Sequence, residues 1–336
     1  KTSGSASATD GKYGDFYYTP PTGHKALCSA NIPKPTIGPN SDTQADNHFG
    51  ILTWSGDDNA RDISVGASGI TGTVDFTPDW AWIKRRNGGS NGSDHLVIDS
   101  VRGVNDHKGM AMNHNEVEGL TEAGSNWTNF GDIVSFKAGG FNGSASGTEE
   151  AINESGGTYV AWNWRAGGAP SADNSAGAGN VPTANSVKID GSNLGSALAG
   201  TIPATRLSAN TTAGFSVLTY TGKGSSGATV AHGLGVKPKW FIVKSRSLGT
   251  SWGSYHEKQN ASPEDGYMSL NTTDTFTDTI TWADTPPTDT VFTLGGSGYS
   301  SNISSATYVA YVFAEVEGYS KFGVYAGNSS ASGTYI

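Results

Sequence analysis

Residues 307–316 read Thr-Tyr-Val-Ala-Tyr-Val-Phe-Ala-Glu-Val. In an extended chain, successive side chains point to opposite sides. Here both sets are apolar: Tyr308, Ala310, Val312 and Ala314 on one side, Val309, Tyr311 and Phe313 on the other. The run is short and rich in β-branched and aromatic residues, which favours strand over helix. A strand apolar on both sides has to be covered on both. The motif also has a twin, because residues 158–166 read Thr-Tyr-Val-Ala-Trp-Asn-Trp-Arg-Ala, 149 residues earlier. The twins read as the central strands of two copies of one unit.

Further matches follow in the same order. Phe49-Gly-Ile-Leu-Thr-Trp-Ser-Gly56 pairs with Phe215-Ser-Val-Leu-Thr-Tyr-Thr-Gly222, and Pro78-Asp-Trp80 with Pro238-Lys-Trp240. Phe136 with Gly139-Gly140 pairs with Phe292 with Gly295-Gly296, so the offsets run 166, 160, 156 and 149. Collinear matches with shrinking offsets are what duplication followed by loop shortening leaves behind. The expected organisation is a connector over 1–43, a first repeat over 44–168, a Gly/Ala/Ser-rich linker over 169–212, a second repeat over 213–318 and a tail over 319–336. Within the linker, 187–189 reads as a short strand, and 197–207 leaves strand and coil open. The tail, with Phe322-Gly-Val-Tyr325-Ala-Gly327, reads as the opening strands of a third repeat or as a donated strand. The two ends read as the tail of one domain and the start of another.

Composition agrees with an all-β chain of thin sandwiches. Gly is 47 of 336 and charged residues are 15%, against usual shares of about 7% and 25%. Many tight turns and large buried rings suit such a chain. The net charge of −9 comes without basic runs, which argues against nucleic acid and anionic membrane surfaces as partners. Cys28 is the only cysteine, so no internal disulfide forms. No stretch has the ~18 apolar residues of a membrane helix.

Several residues invite a chemical reading. Glu315 and Glu317 stand two apart on a strand and so share a face, as the paired carboxylates of jelly-roll glycanases do; the competing reading is a solvated strand end. His232, in a Gly-rich turn, reads as a general base or as a cap on backbone groups. Asp99, Ser100 and His107 have triad residue types, but closeness in sequence is not triad geometry. Asp57, Asp58, Asn59 and Asp62, and Asn105, Asp106 and His107, offer oxygen ligands for calcium or ordinary turn residues. Trp127, Trp252, Tyr255, Trp282 and Tyr299 fall in expected loops or hairpin tips. There an exposed ring stacks on the apolar face of a sugar while nearby Asn, Asp and Ser bond its hydroxyls; alternatively such rings plug sandwich ends. Trp80, Trp82, Trp162, Trp164 and Trp240 fall on strands and read as core. Neither a metal nor another cofactor is expected.

These landmarks resemble the tandem lectin-like repeats in large virion proteins of tailed bacteriophages, especially marine phages. The resemblance rests on Gly14-Asp-Phe-Tyr-Tyr-Thr-Pro-Pro-Thr-Gly with Lys25-Ala-Leu-Cys-Ser-Ala-Asn-Ile-Pro, similar to the end of a SPRY-like domain. It rests also on Gly214-Phe-Ser-Val-Leu-Thr-Tyr-Thr-Gly, His232-Gly-Leu-Gly-Val-Lys-Pro and Tyr308-Val-Ala-Tyr-Val-Phe-Ala-Glu-Val-Glu-Gly-Tyr-Ser-Lys-Phe-Gly. The first repeat departs from it with Ser68-Gly69-Ile70. The resemblance implies two tandem concanavalin-A-like jelly-roll sandwiches. It also implies a structural or adhesive, non-enzymatic role on the outside of a phage particle, in a tail fibre or other appendage, with host-surface glycans and other virion proteins as partners. Self-association, as a trimer, is expected from the two apolar faces of the closing strands. An extracellular filament assembled by strand donation and a jelly-roll glycoside hydrolase are the alternatives.

Overall fold

A computed structural model describes residues 44–333, apart from 88–93, 106, 120–131, 146–151 and 298–299, together with 8–9, 15–16, 21 and 37–38. Strands β1 (Ala8–Thr9) and β2 (Asp15–Phe16) pair with each other. The first repeat contributes β3 (Phe49–Ser55), β4 (Arg61–Ser64), β5 (Ile70–Thr73), β6 (Trp80–Arg85), β7 (Leu96–Asp99), β8 (Met110–Ala111), β9 (Ile133–Lys137), β10 (Gly140–Gly143) and β11 (Thr158–Trp164). Next come β12 (Val187–Ile189), β13 (Ser192–Asn193) and β14 (Arg206–Asn210). The second repeat adds β15 (Phe215–Thr221), β16 (Ala228–Ala231), β17 (Trp240–Ser245), β18 (Gly253–His256), β19 (Gly266–Ser269), β20 (Thr277–Asp278), β21 (Val291–Leu294) and β22 (Thr307–Phe313).

The chain is all-β: two tandem jelly-roll-like sandwiches. In the first, a sheet ordered β5-β3-β11-β6-β7-β8 packs on β4-β10-β9. In the second, the order is β13-β12-β14-β15-β22-β17-β18-β19-β20, packed on β16-β21. Each closing strand is central, with the opening strand on one side (β3, β15) and the strand after the Pro-X-Trp corner on the other (β6, β17). The inward set of each feeds its own core. Tyr159 and Ala161 meet Leu52, Ile83 and Phe141, while Tyr308, Ala310 and Val312 meet Leu218, Phe241 and Phe292.

The duplication extends to single atoms. Tyr159 stacks on Trp54 at 5.4 Å, and its hydroxyl accepts the Glu154 N–H at 3.0 Å. Tyr308 stacks on Tyr220 at 5.0 Å and accepts the Ile303 N–H at 2.9 Å. Gly56 and Gly222 lie against this turn, where a Cβ would stand 2.0 Å from the Glu154 carbonyl oxygen and 2.3 Å from that of Ile303. Beside them, fully buried Asn153 and Asn302 tie loops together through their side-chain amides.

One pairing expected from sequence shifts. The partner of β16 in the second repeat is β21, ahead of the Gly-Gly turn, whereas the partner of β4 is β10, after it. Phe292 therefore corresponds to fully buried Phe141, not to half-buried Phe136. The buried ring of Phe141, rather than the Gly139-Gly140 pair, marks the matching position.

Residues 169–212 are not a linker hanging between domains. They carry β12, β13 and β14, and β14 pairs with β15 over five positions while β12 runs parallel to β14. The tail behaves the other way: from 321 to 333 it joins no sheet, and Val324 and Tyr325 are 65% and 69% exposed. Most of the 1–43 connector lies outside the described residues.

The outward face of β22 is covered from within the chain. Val309, Tyr311 and Phe313 join Phe215, Val217, Ile242 and Trp252 in one apolar cluster with Trp80, Val97, Met110 and Met112 of the first repeat. The two sandwiches thus dock sheet against sheet, and the apolar second face of β22, expected to support trimerisation, is occupied within the chain.

Candidate functional site

The junction is built from cross-strand rows. On the first sheet, Phe49, Trp164 and Trp80 form one row, with Ile51, Trp162, Trp82 and Val97 in the next. On the second, Phe215, Phe313 and Trp240 lie beside Val217, Tyr311 and Ile242. Trp80 is the hub, with its ring 4.4 Å from Trp164, 4.7 Å from Tyr311 and 5.5 Å from Phe215.

A buried polar knot pins the two sheets. The Arg102 side chain is 0% exposed. It donates to Asp99 Oδ2 at 2.5 Å, Glu118 Oε1 at 3.1 Å, the Tyr311 hydroxyl and the Val97 carbonyl at 3.2 Å each, and the Lys108 carbonyl. Tyr311 in turn donates to Asp99 Oδ2 at 2.8 Å, and Arg246 reaches Glu118 at 2.8 Å. Burial raises the Tyr311 hydroxyl well above its ordinary pKa, so it stays a donor. Lys244, buried and pushed down to about 8 by desolvation, gives its ammonium to the carbonyls of Asn115, Ser245 and Leu248.

The seam is not closed along its whole length. One hollow of about 270 Å³ is walled by Phe49, Trp164, Phe215, Trp240, Phe313 and Phe322. A second, of about 280 Å³, shares Trp240 and adds Trp82, His95, Met112 and Asn113. Phe49, Trp82, Trp164, Trp240 and Phe322 are only partly buried. Next to the first hollow lies a polar cleft of about 490 Å³ lined by His48, Asp75, Asp79, Arg165, Asp190 and Asn210.

Its electrostatics follow from burial. Asp79 has its carboxyl pKa raised by desolvation, against the Ser100 hydroxyl at 2.7 Å and the Ala166 and Gly168 N–H groups at 2.8 and 3.2 Å. His48 is held neutral by burial and then by Arg165. Its Nδ1 accepts from the Asn210 amide at 3.0 Å, so Nε2 carries the proton. In the other hollow, His95 is lowered by burial and then by Lys84, and its Nδ1 accepts the Trp82 indole N–H at 3.0 Å. The seam thus offers flat rings flanked by neutral imidazole donors, a guanidinium and carboxylate acceptors. This mix suits a polyhydroxylated ligand, whose hydroxyls both donate and accept.

Three of the ring residues singled out from sequence are buried rather than open to a ligand. Trp252, Tyr255 and Trp282 are at most 1% exposed, which corrects their reading as ligand platforms. Trp252 sits at the junction and donates its indole N–H to the Ala111 and His114 carbonyls at 2.9 and 3.0 Å. Tyr255 and Trp282 pack on Phe241, each at 4.8 Å, inside the second core. Trp252 directly precedes β18, Tyr255 lies within it, and Trp282 ends a short 3-10 turn over Ile280–Trp282. Trp127 and Tyr299 lie outside the described residues. The open rings, Trp82, Trp164 and Trp240, are strand residues whose periodicity reads as core; they pack against the junction cluster and remain only partly buried.

The other candidates also resolve. Glu315 and Glu317 lie exposed beyond the end of β22. His232 is buried, its pKa lowered to about 4 by desolvation, and it caps its own turn: Nδ1 accepts the Leu234 N–H, and Nε2 bonds the Thr288 carbonyl. Asp99, Ser100 and His107 serve different partners, since Ser100 bonds Asp79 and the His107 backbone N–H bonds Asp132. Asp57 caps Asn59 and pairs with Arg61, Asp58 accepts the Ser155 N–H, and Asp62 pairs with Lys137. Asp106 lies outside the described residues. Among the described residues, no three His, Cys, Asp or Glu side chains gather as a metal site, and no helix is long and apolar enough to cross a membrane.

Fold and seam together define a tandem β-sandwich protein whose two repeats share one open, ring-lined junction. Residues 44–191 and 190–336 each match the model of a domain of unknown function (DUF7483), so the chain belongs to that family twice over. Comparison with curated proteins and with solved structures finds no match. The boundary between the two matches falls at the Asp190-Gly191 turn, inside the stretch that composition marks as a linker.

Proposed function

We propose that this chain is a structural and adhesive protein on the exterior of a bacteriophage particle, in a tail fibre or other appendage, and that it binds host-surface carbohydrate in the seam between its repeats. The sequence resemblance to tandem lectin-like virion proteins supplies the setting. The observation that carries the binding role is the seam itself: partly bared Trp82, Trp164 and Trp240 beside the His48–Arg165–Asp190 cleft. Rings give apolar area with little entropy to lose, and the polar cleft gives orientation. The role we infer is binding; Glu315 and Glu317, the paired carboxylates of the glycanase alternative, are exposed at the end of β22.

The test is binding of host envelope polysaccharide to the 336-residue chain, followed by calorimetry on the fragment retained. Trp240→Ala should weaken the affinity at least tenfold, about 1.4 kcal/mol, and His48→Ala should weaken it as well. No binding to host polysaccharide, or binding indifferent to both changes, refutes the assignment. A filament assembled by strand donation is the second reading, favoured by the exposure of Val324 and Tyr325 in the tail.

A further inference from the structure

We propose that the segment after the last strand is an autoinhibitory strap: Phe322 sits on the ring platform of the seam, and a ligand has to displace it to stack on Trp240. The inference rests on the seam being the ligand site. Just past β22 the chain makes a hydrogen-bonded turn. The Ser320 N–H donates to the Val316 carbonyl at 2.9 Å, and the Ser320 hydroxyl accepts the Val316 N–H at 3.1 Å and donates to the Ala314 carbonyl at 3.3 Å. This turn brings Tyr319, Ser320 and Phe322 into the wall of the first hollow. Tyr319 also meets His48 edge-on at 6.2 Å, so the turn borders the polar cleft as well.

Phe322 is held lightly. Its ring is 6.2 Å from both Trp240 and Phe313 in tilted contacts, whereas Trp240 lies flat on Phe313 at 4.7 Å. Phe322 stays partly exposed, and every other residue from 321 to 333 is exposed. Among the described residues, burial in this segment thus comes from one shallow ring contact. The sister repeat shows that the building block does not need a ring there. After β11 the chain runs from 165 to 212 without one aromatic residue and continues into the paired strands β12 and β14. A sugar stacks on the flat ring surface that Phe322 leans on, so the two compete. Such competition scales the apparent affinity by the open fraction; a strap seated in about 90% of molecules weakens binding about tenfold.

Calorimetry with host envelope polysaccharide on the 336-residue chain tests it. Phe322→Ala should tighten binding by about three- to tenfold, where a ring that merely walls the site would loosen it on removal. Ser320→Ala removes the side-chain hydrogen bonds of the turn and keeps every ring; it should act in the same direction, and it decides if Phe322→Ala loses the wild-type near-ultraviolet circular dichroism. Unchanged or weakened binding in the folded variant overturns the strap. If wild type and variants alike ignore the polysaccharide, the glycan reading fails and the apolar dye anilinonaphthalene sulfonate decides. Phe322→Ala should then bind the dye at least about threefold more tightly than wild type, and adding Trp240→Ala should abolish the gain. Equal dye binding overturns the strap, as does a gain that survives Trp240→Ala.

Discussion

Replacing Arg102 by Met tests whether the polar knot holds the two repeats together. The methionine fills much of the space but donates nothing. Five acceptors each lose one donor: Asp99, Glu118, the Tyr311 hydroxyl and the carbonyls of Val97 and Lys108. Asp99 keeps the N–H groups of Val101 at 3.0 Å and of residue 102 at 2.7 Å, and the Tyr311 hydroxyl at 2.8 Å. It loses the Arg102 cation in a site with 0% side-chain exposure. Breaking a buried pair on one side costs about 3–5 kcal/mol. Tyr311→Phe keeps the ring against Trp80 and removes only the hydroxyl, so about 1.5–3 kcal/mol is expected. Since both residues serve one knot, the double variant should lose less than the sum. Tyr311 belongs to the second repeat, so the loss should appear as earlier separation of the sandwiches in urea, followed by tryptophan fluorescence and near-ultraviolet circular dichroism. A loss below about 1 kcal/mol for Arg102→Met, or strict additivity, would sink the view that this knot couples the repeats.

Two further outcomes follow from individual side chains. His232 has its pKa lowered to about 4 by burial, so the fold favours the neutral ring; stability is complete above the ordinary value of about 6.5 and declines as pH falls toward about 4, by on the order of 3 kcal/mol. His232→Gln should flatten that part of a urea-midpoint-against-pH curve, and an unchanged slope would show the ring is not buried neutral. Trp252→Phe strips the donor from the Ala111 and His114 carbonyls and should cost about 1–3 kcal/mol in urea unfolding with polysaccharide affinity unchanged; lost affinity at full stability would restore this ring as a ligand platform.

The architecture was legible because two-sided apolarity is a local pattern with a global demand. Tyr308 to Phe313 announces two covers, and its twin at Tyr159 announces a second unit. What the pattern could not say is which surface forms the second cover. Partner choice is set by the angle between sheets and by residues such as Arg102 and Glu118, which look like ordinary surface charges in the sequence. The seam escaped for a related reason. Trp82, Trp164 and Trp240 have core periodicity, and their partial exposure is a property of the junction rather than of any strand. Trp252 erred in the opposite direction, because glycine and serine neighbours signal a loop unless a second sandwich closes over them. Residues 169–212 misled through composition: alanine, serine and glycine serve a flat edge strand as readily as a flexible tether.

That stretch has a consequence for the durability of the molecule. The two basic residues it contains, Lys188 and Arg206, both lie in paired strands. A trypsin-like protease needs a segment it can pull out and thread through its cleft, and such nicking concentrates at exposed loop tips. The part of the chain that looks most like a severable tether is therefore armoured, and digestion has to begin elsewhere than at the crossing from one repeat to the next.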